Sequence, residues 1–142
     1  MALPAPYPGL VIRYAYLWQR EAARGQEEGR KDRPCVIVLA VEEVAGQMLV
    51  TVAPVTHRAP DDAAIAIEMP AATKRRLGLD DAASWIIANE VNRFAWPGPD
   101  VRPTPGGGMA YGLLPRGLFA ELRTRLMALA REGRLRLTKR TE

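Results

Sequence analysis

Along residues 9–18 (GLVIRYAYLW) the side chains fall into two alternating sets, Val11, Arg13 and Ala15 on one and Leu10, Ile12, Tyr14 and Tyr16 on the other. A period of two, enriched in β-branched and aromatic residues, predicts a strand. The chain then turns polar over 19–32 (QREAARGQEEGRKD), punctuated by Gly25 and Gly29 and with no apolar stripe to bury, which predicts a mobile loop with room for one helical turn. Residues 34–41 (PCVIVLAV) are continuously apolar and 47–54 (QMLVTVAP) nearly so, and the short polar link at 42–46 makes them a central hairpin. Residues 64–69 (AIAIEM) alternate like a further strand. Pro70 opens a short helical turn, AATKRRL, whose charges should face water and which Gly78 closes.

Residues 84–88 (SWIIA) and 91–96 (VNRFAW) predict one long or two short strands broken near Asn89 and Glu90. The segment 97–108 (PGPDVRPTPGGG) carries four prolines and four glycines, a composition that disfavours regular pairing and predicts a long loop. Beyond it, Pro115 suits a first helical position, and Leu118, Phe119, Leu122, Leu126 and Leu129 recur at helical spacing until Gly133, with Arg116, Arg123, Arg125 and Arg131 on the other face. An alternating RLRL at 134–137 predicts a short edge strand guarded by its arginines. These elements describe a mainly β (α+β) domain, most simply a small barrel of five to seven strands with a C-terminal helix, forming one domain over 1–142. A parallel βαβ plan is disfavoured, because helices long enough for a crossover do not lie between the strands.

Composition adds bounds. With 142 residues, 48% hydrophobic and 25% charged, the chain suits a single core. Its apolar runs are strand-sized and its proline-rich start lacks the pattern of a secretion signal, so a soluble, cytoplasmic protein without membrane contact is expected. The lone Cys35 forms no internal disulfide and no metal cluster, and no cofactor is implied. Of 20 arginines and lysines, 8 fall in residues 113–142 against 3 glutamates, leaving the rest of the chain close to neutral. That basic tail could attract nucleic acid, although a solvated helix face accounts for the same charges.

Phosphate-cradling GxxxxGK[ST], zinc-binding HExxH and GxSxG motifs are all absent, and one histidine excludes a two-histidine site. The remaining arginines, hydroxyls and aromatics suit an anionic polymer. Two segments carry something more specific. Residues 33–39 (RPCVIVL) resemble the Arg-Pro-plus-apolar-strand motif of the MazF/PemK toxin family, and 52–56 (VAPVT) resemble that family's following strand end, in the same order and at similar separation. Residues 8–12 (PGLVI), Glu28-Gly29, 84–91 (SWIIANEV) and 111–114 (YGLL) are similar to its opening strand, its loop, a later strand and the element before its terminal helix. The likeness covers most of the chain, and its colinearity is the argument. The chain departs from the pattern at Leu10, at the inserted Arg30-Lys31-Asp32, at Asn92-Arg93 and at His57, where a serine is common.

The resemblance implies an SH3-like barrel and a toxin-like endoribonuclease that cleaves single-stranded RNA without metal, by attack of a ribose 2′-hydroxyl on the adjacent phosphate. It also implies a homodimer and a cognate antitoxin protein. That chemistry needs charge stabilisation at the phosphate, a proton acceptor and a proton donor. Arg33 suits the first, since a guanidinium grips two oxygens and stays charged. Thr56 would donate its hydroxyl to the same phosphate. A salt bridge from Arg33 to Asp32 or Glu28, and a simple strand terminus at Thr56, are the alternatives.

His57 could exchange a proton near neutral pH, but strict strand alternation would point it away from Thr56, and a merely exposed histidine serves as well. For RNA binding, bases could stack on Tyr14, Tyr16 or, best placed, Trp18, with Arg30, Lys31 and Arg58 holding the backbone; Trp85 and Trp96 are assigned to packing. A non-catalytic RNA- or protein-binding module on the same barrel is the rival reading. Duplex DNA recognition through the C-terminal helix lacks a helix-turn-helix pattern.

Overall fold

A computed structural model describes residues 3–26, 29 and 31–140, so Arg30 and Glu28, named above, lie outside the described residues. In chain order the elements are β1 (Leu10–Tyr14), α1 (Gln19–Ala23), β2 (Arg33–Glu42), β3 (Met48–Thr56), β4 (Ala66–Glu68), α2 (Ala71–Leu77), β5 (Trp85–Ile87), β6 (Glu90–Ala95), β7 (Val101–Arg102), β8 (Gly112–Leu113), α3 (Arg116–Arg131) and β9 (Arg136–Lys139). The architecture is mainly β, an α+β barrel-like sheet with a helix near its C-terminus.

The central hairpin forms as its patterning predicts: β2 and β3 pair antiparallel from Cys35 opposite Pro54 to Glu42 opposite Met48, with a bulge between Ile37 and Leu39. Strand β3 is the hub, because its other edge pairs with β6 along residues 49–52 and with β5 at Val55 and Thr56. Both faces of this sheet are covered at residues 35–37, whereas Leu39 and Val41 further along β2 are exposed, so burial accounts for only the first half of the apolar run 34–41. Val11, Val36, Ala53 and Val55 face the α3 side, where Leu118, Leu122, Leu126 and Leu129 are buried. Each buried leucine there contributes about 1.5–3 kcal/mol relative to exposure. Leu10, Ile12, Tyr14, Tyr16, Cys35, Ile37, Val50, Val52 and Phe94 form the second cluster on the opposite face. Of the two sets in residues 9–18, Leu10, Ile12, Tyr14 and Tyr16 lie together in this second cluster, while Val11 of the other set faces the first.

Three expectations need correction. Nine strands are present among the described residues rather than five to seven. The surplus comes from short pieces: the proline- and glycine-rich segment contributes β7, which pairs with β1 at Arg13 and Tyr14, and β8 pairs with Leu10 and Val11. Two residues are enough to cover an open edge of β1 despite the breakers around them. A parallel crossover also exists. Strand β9 pairs parallel with β6, Val91 opposite Leu137 and Asn92 opposite Thr138, and α3 spans the return path. Finally, the α2 charges do not all face water, since Lys74 is buried while Arg75 and Arg76 are exposed.

The remaining differences are local. The segment 64–69 starts as a 3-10 turn at Ala63–Ile65, so β4 is only three residues long. Pro115 caps α3 rather than opening it, and Gly78 terminates α2 in the left-handed conformation, φ 72°. Polar residues 19–23 do form a helical turn, held because Glu21 Oε1 accepts from Trp18 N at 3.1 Å.

Two buried polar groups fix how the chain leaves β1. Asn92 exchanges hydrogen bonds with the Leu17 backbone, Leu17 N to Oδ1 at 2.9 Å and Nδ2 to Leu17 O at 2.8 Å, and so pins the residue before Trp18. Arg140, buried, donates to Ala15 O at 2.7 Å and to Asp100 Oδ2 at 2.8 Å, with its guanidinium 5.3 Å from the Tyr14 ring centroid. Gly29 packs against the carbonyls of Ala15 and Tyr16 so closely that a Cβ could not fit, bringing the loop back against β1. No helix among the described residues is long and apolar enough to cross a membrane.

Candidate functional site

Where β1, β2 and β3 end together, a cleft of about 860 Å³ opens. The register of the hairpin explains who meets there. Val36 faces Ala53 and Cys35 faces Pro54, and beyond this last pair of the ladder Arg33 and Thr56 both border the cleft. Arg33 begins β2, facing Tyr14 of β1, and its Nη1 donates to Val55 O at 3.4 Å. The guanidinium carbon lies 4.9 Å from the centroid of the Trp18 ring. Arg33 Nε is buried and has no hydrogen-bond partner among the described residues. Burial lowers the Arg33 pKa from its ordinary value, yet a guanidinium remains protonated. Asp32 is engaged elsewhere, 3.9 Å from Arg13 Nε and 3.7 Å from Arg102 Nε, so the alternative of an Arg33–Asp32 bridge is not what forms.

Trp18, Lys31, Arg33, Thr56, His57 and Arg58 all border this one cleft. Arg30, the seventh residue named from the sequence, lies outside the described residues. Thr56 is half-buried at the strand end, where Arg58 N donates to its Oγ1 at 3.2 Å. That bond turns the chain immediately after β3, so alternation stops at Thr56 and His57 comes to the cleft instead of the far face. The expectation that it points away is corrected by this turn.

The tyrosines differ from Trp18. Tyr14 and Tyr16 are fully buried, Tyr14 stacked on Phe94 with centroids 4.5 Å apart, so their rings offer no face to a base. Trp18 is half-buried, with the Tyr16 ring edge-on at 5.0 Å and a second guanidinium, that of Arg20, 5.2 Å from its centroid. Trp96 packs against the second core cluster, and Trp85 is half-buried on β5.

Sequence reading missed the group behind His57. His57 Nε2 lies 2.8 Å from Asp80 Oδ2 and 3.1 Å from Oδ1, and Asp80 Oδ1 also accepts from Lys74 Nζ at 2.9 Å and from Ala82 N at 3.2 Å. Lys74 also donates to Ser84 Oγ at 2.7 Å and to Ala82 O. The bond from Lys74 is the main reason the Asp80 carboxyl is held below its ordinary pKa. The hint available was a lysine beside Thr73 on the turn AATKRRL, four residues after Pro70 and close to Asp80-Asp81. Tyr111, also on the cleft, has its phenol pKa raised by burial. Cys35 is fully buried and burial pushes its thiol pKa upward, so it supplies no thiolate. No group of three or more histidine, cysteine, aspartate or glutamate side chains disposed for a metal ion occurs among the described residues.

The cleft thus combines a half-sheltered guanidinium, a hydroxyl, an imidazole backed by a carboxylate, and further cations at its rim. Such a set can bind a phosphodiester and move protons beside it. Comparison with known proteins finds no matching family model and no matching curated protein.

Proposed function

We propose that this chain is an endoribonuclease of the toxin–antitoxin kind, cleaving single-stranded RNA without a metal ion. The observation that carries the reading is the meeting of Arg33, Thr56 and His57 at one cleft lined by further arginine and lysine. RNA supplies its own nucleophile. The ribose 2′-oxygen attacks the neighbouring phosphorus, the bond to the 5′-oxygen breaks, and the products are a 2′,3′-cyclic phosphate and a 5′-hydroxyl. One proton leaves the 2′-hydroxyl and one arrives on the departing oxygen, so no activated water is required.

Arg33 holds the nonbridging oxygens, whose charge grows as the pentacoordinate phosphorus forms, and Thr56 donates its hydroxyl to the same group. His57 exchanges a proton with one of the two ribose oxygens. Lys31 and Arg58 hold neighbouring phosphates, and Trp18, half-buried on the cleft wall beside the Arg33 and Arg20 guanidiniums, meets a base at its exposed part. In this reading the protein works as a bacterial, cytoplasmic homodimer and is silenced by an antitoxin whose acidic segment occupies the same cleft.

Incubating the purified protein with a long single-stranded RNA in excess chelator tests the proposal: discrete fragments support it. Intact RNA that is nonetheless retarded on a gel would favour the binding module instead.

A further inference from the structure

Lys74 is the least expected residue of the cleft wall. Its side chain is 5% exposed, although it sits on a seven-residue surface helix whose neighbouring arginines point to solvent. Burying an ammonium is costly unless each of its hydrogens finds an acceptor. Here all three do, on Asp80, Ala82 and Ser84. The lysine therefore acts as a strut that ties the middle of α2 to the loop carrying Asp80 and to Ser84, just before β5.

The consequence falls on Asp80. With Oδ1 held by Lys74 and by the amide of Ala82, the carboxylate presents both oxygens to His57 Nε2, Oδ2 at 2.8 Å and Oδ1 at 3.1 Å. An ionised carboxylate only accepts hydrogen bonds, so Nε2 must carry a hydrogen, and Nδ1 is the nitrogen left for proton exchange. His57 and Asp80 are each more than half exposed, and a pair that loose would ordinarily drift. The buried strut removes that freedom from the carboxylate, and through it from the ring.

We propose that Asp80 is a positioning residue for His57, fixing its tautomer and orientation at the cleft, and that Lys74 in turn positions Asp80. The proposal rests on the reading of the cleft as an RNA-cleaving site. It extends that reading from the three residues at the scissile phosphate to a chain of four, His57–Asp80–Lys74–Ser84, in which Lys74 is buried behind the cleft wall. A His–carboxylate pair of this kind leaves the imidazole in the one tautomer that can act, as orienting carboxylates do in other acid–base sites.

His57 is the chain's single histidine, so its ring nitrogens can be observed without assignment after 15N-histidine labelling. In the wild type the two nitrogens should show the widely separated shifts of one Nε2–H tautomer at a pH where the ring is neutral. In Asp80→Ala they should move toward each other as the tautomers mix. For cleavage, Asp80→Ala should lower kcat by about tenfold or more, a share of the ~10²–10⁴ that a proton-transfer group supplies, with KM little changed. Adding Asp80→Ala to His57→Ala should cost nothing further.

Lys74→Met, checked for folding by circular dichroism, should show the same spectral change as Asp80→Ala. Identical ring shifts in the wild type and Asp80→Ala, or an equal loss from Asp80→Ala with and without His57, overturns the positioning role. A wild type with a fixed tautomer and no cleavage of any RNA overturns the nuclease reading while leaving the His57–Asp80 contact standing.

Discussion

The Arg33 guanidinium lies over the indole of Trp18, 4.9 Å from its centroid, while its Nη1 donates to the Val55 carbonyl. Aromatic face and backbone acceptor together fix where the charge sits. Trp18 is fixed in turn, because Asn92 clamps Leu17 and Glu21 accepts from the Trp18 amide. The cleft's chief cation is thus held by the residue expected from sequence to stack on RNA.

Trp18→Ala should therefore weaken catalysis through Arg33. A partly desolvated cation–π contact is worth about 1–2 kcal/mol, so the variant should lose about five- to thirtyfold in kcat/KM, and Trp18→Phe should retain most of the activity. Single-turnover cleavage of a defined RNA measures both. Equal losses in Phe and Ala variants would mean that the indole serves something other than the guanidinium.

At Arg33 a point charge should not substitute for the planar fork. Arg33→Lys is expected to lose nearly as much cleavage as Arg33→Ala, about 10²–10³-fold on the scale of a removed transition-state donor. His57→Ala should fall by an amount comparable with Thr56→Ala. Initial rates, with circular dichroism to show that each variant folds, check the set.

Stability should depend on the buried charge at the end of the chain. Arg140 is 1% exposed at its side chain and Asp100 13%, joined at 2.8 Å. Asp100→Ala leaves that guanidinium without its counter-charge and should cost about 3–5 kcal/mol, while Arg140→Met, which removes the charge with its burial cost, should cost less. Urea unfolding monitored by tryptophan fluorescence separates them. A loss below about 1 kcal/mol for Asp100→Ala would show that the pair is not what holds the chain after β9 to the segment before β7.

Glu90 gives a pH signature. Burial raises its pKa, only partly offset by hydrogen bonds from the Gln19 amide and the Tyr16 hydroxyl. The folded protein therefore keeps a proton that the unfolded chain has released, and stability falls as pH rises from the ordinary carboxylate range through the raised folded value. Glu90→Gln keeps an acceptor but does not titrate. Its urea midpoint relative to wild type should climb across that window, starting near about pH 4, and level off above it. A difference independent of pH contradicts the assignment.

The sequence made the hub legible because each of its signals was local. The period of Leu118, Leu122, Leu126 and Leu129 marks the packed face of α3, Gly78 ends α2, and the apolar runs at 34–41 and 47–54 pair as drawn. Arg33 and Thr56 stand out in the sequence only through the resemblance carried by residues 33–39 and 52–56, and both border one cleft. What depended on distant closure was invisible. Lys74 and Asp80 look like ordinary surface charges until β5 brings Ser84 beneath them. Nothing near Leu137 announces that β9 will run parallel to β6, since that pairing is decided by where α3 docks. His57 was misdirected by carrying strand alternation one residue past the turn that Thr56 itself makes.

The most direct measurement is the chemistry of the ends produced from a long single-stranded RNA in excess chelator, comparing wild type with Arg33→Ala and Thr56→Ala. The account predicts discrete wild-type fragments bearing 2′,3′-cyclic phosphate and 5′-hydroxyl termini, and intact RNA with either variant. Undegraded RNA with the wild type, or the same fragments from both variants, would contradict it.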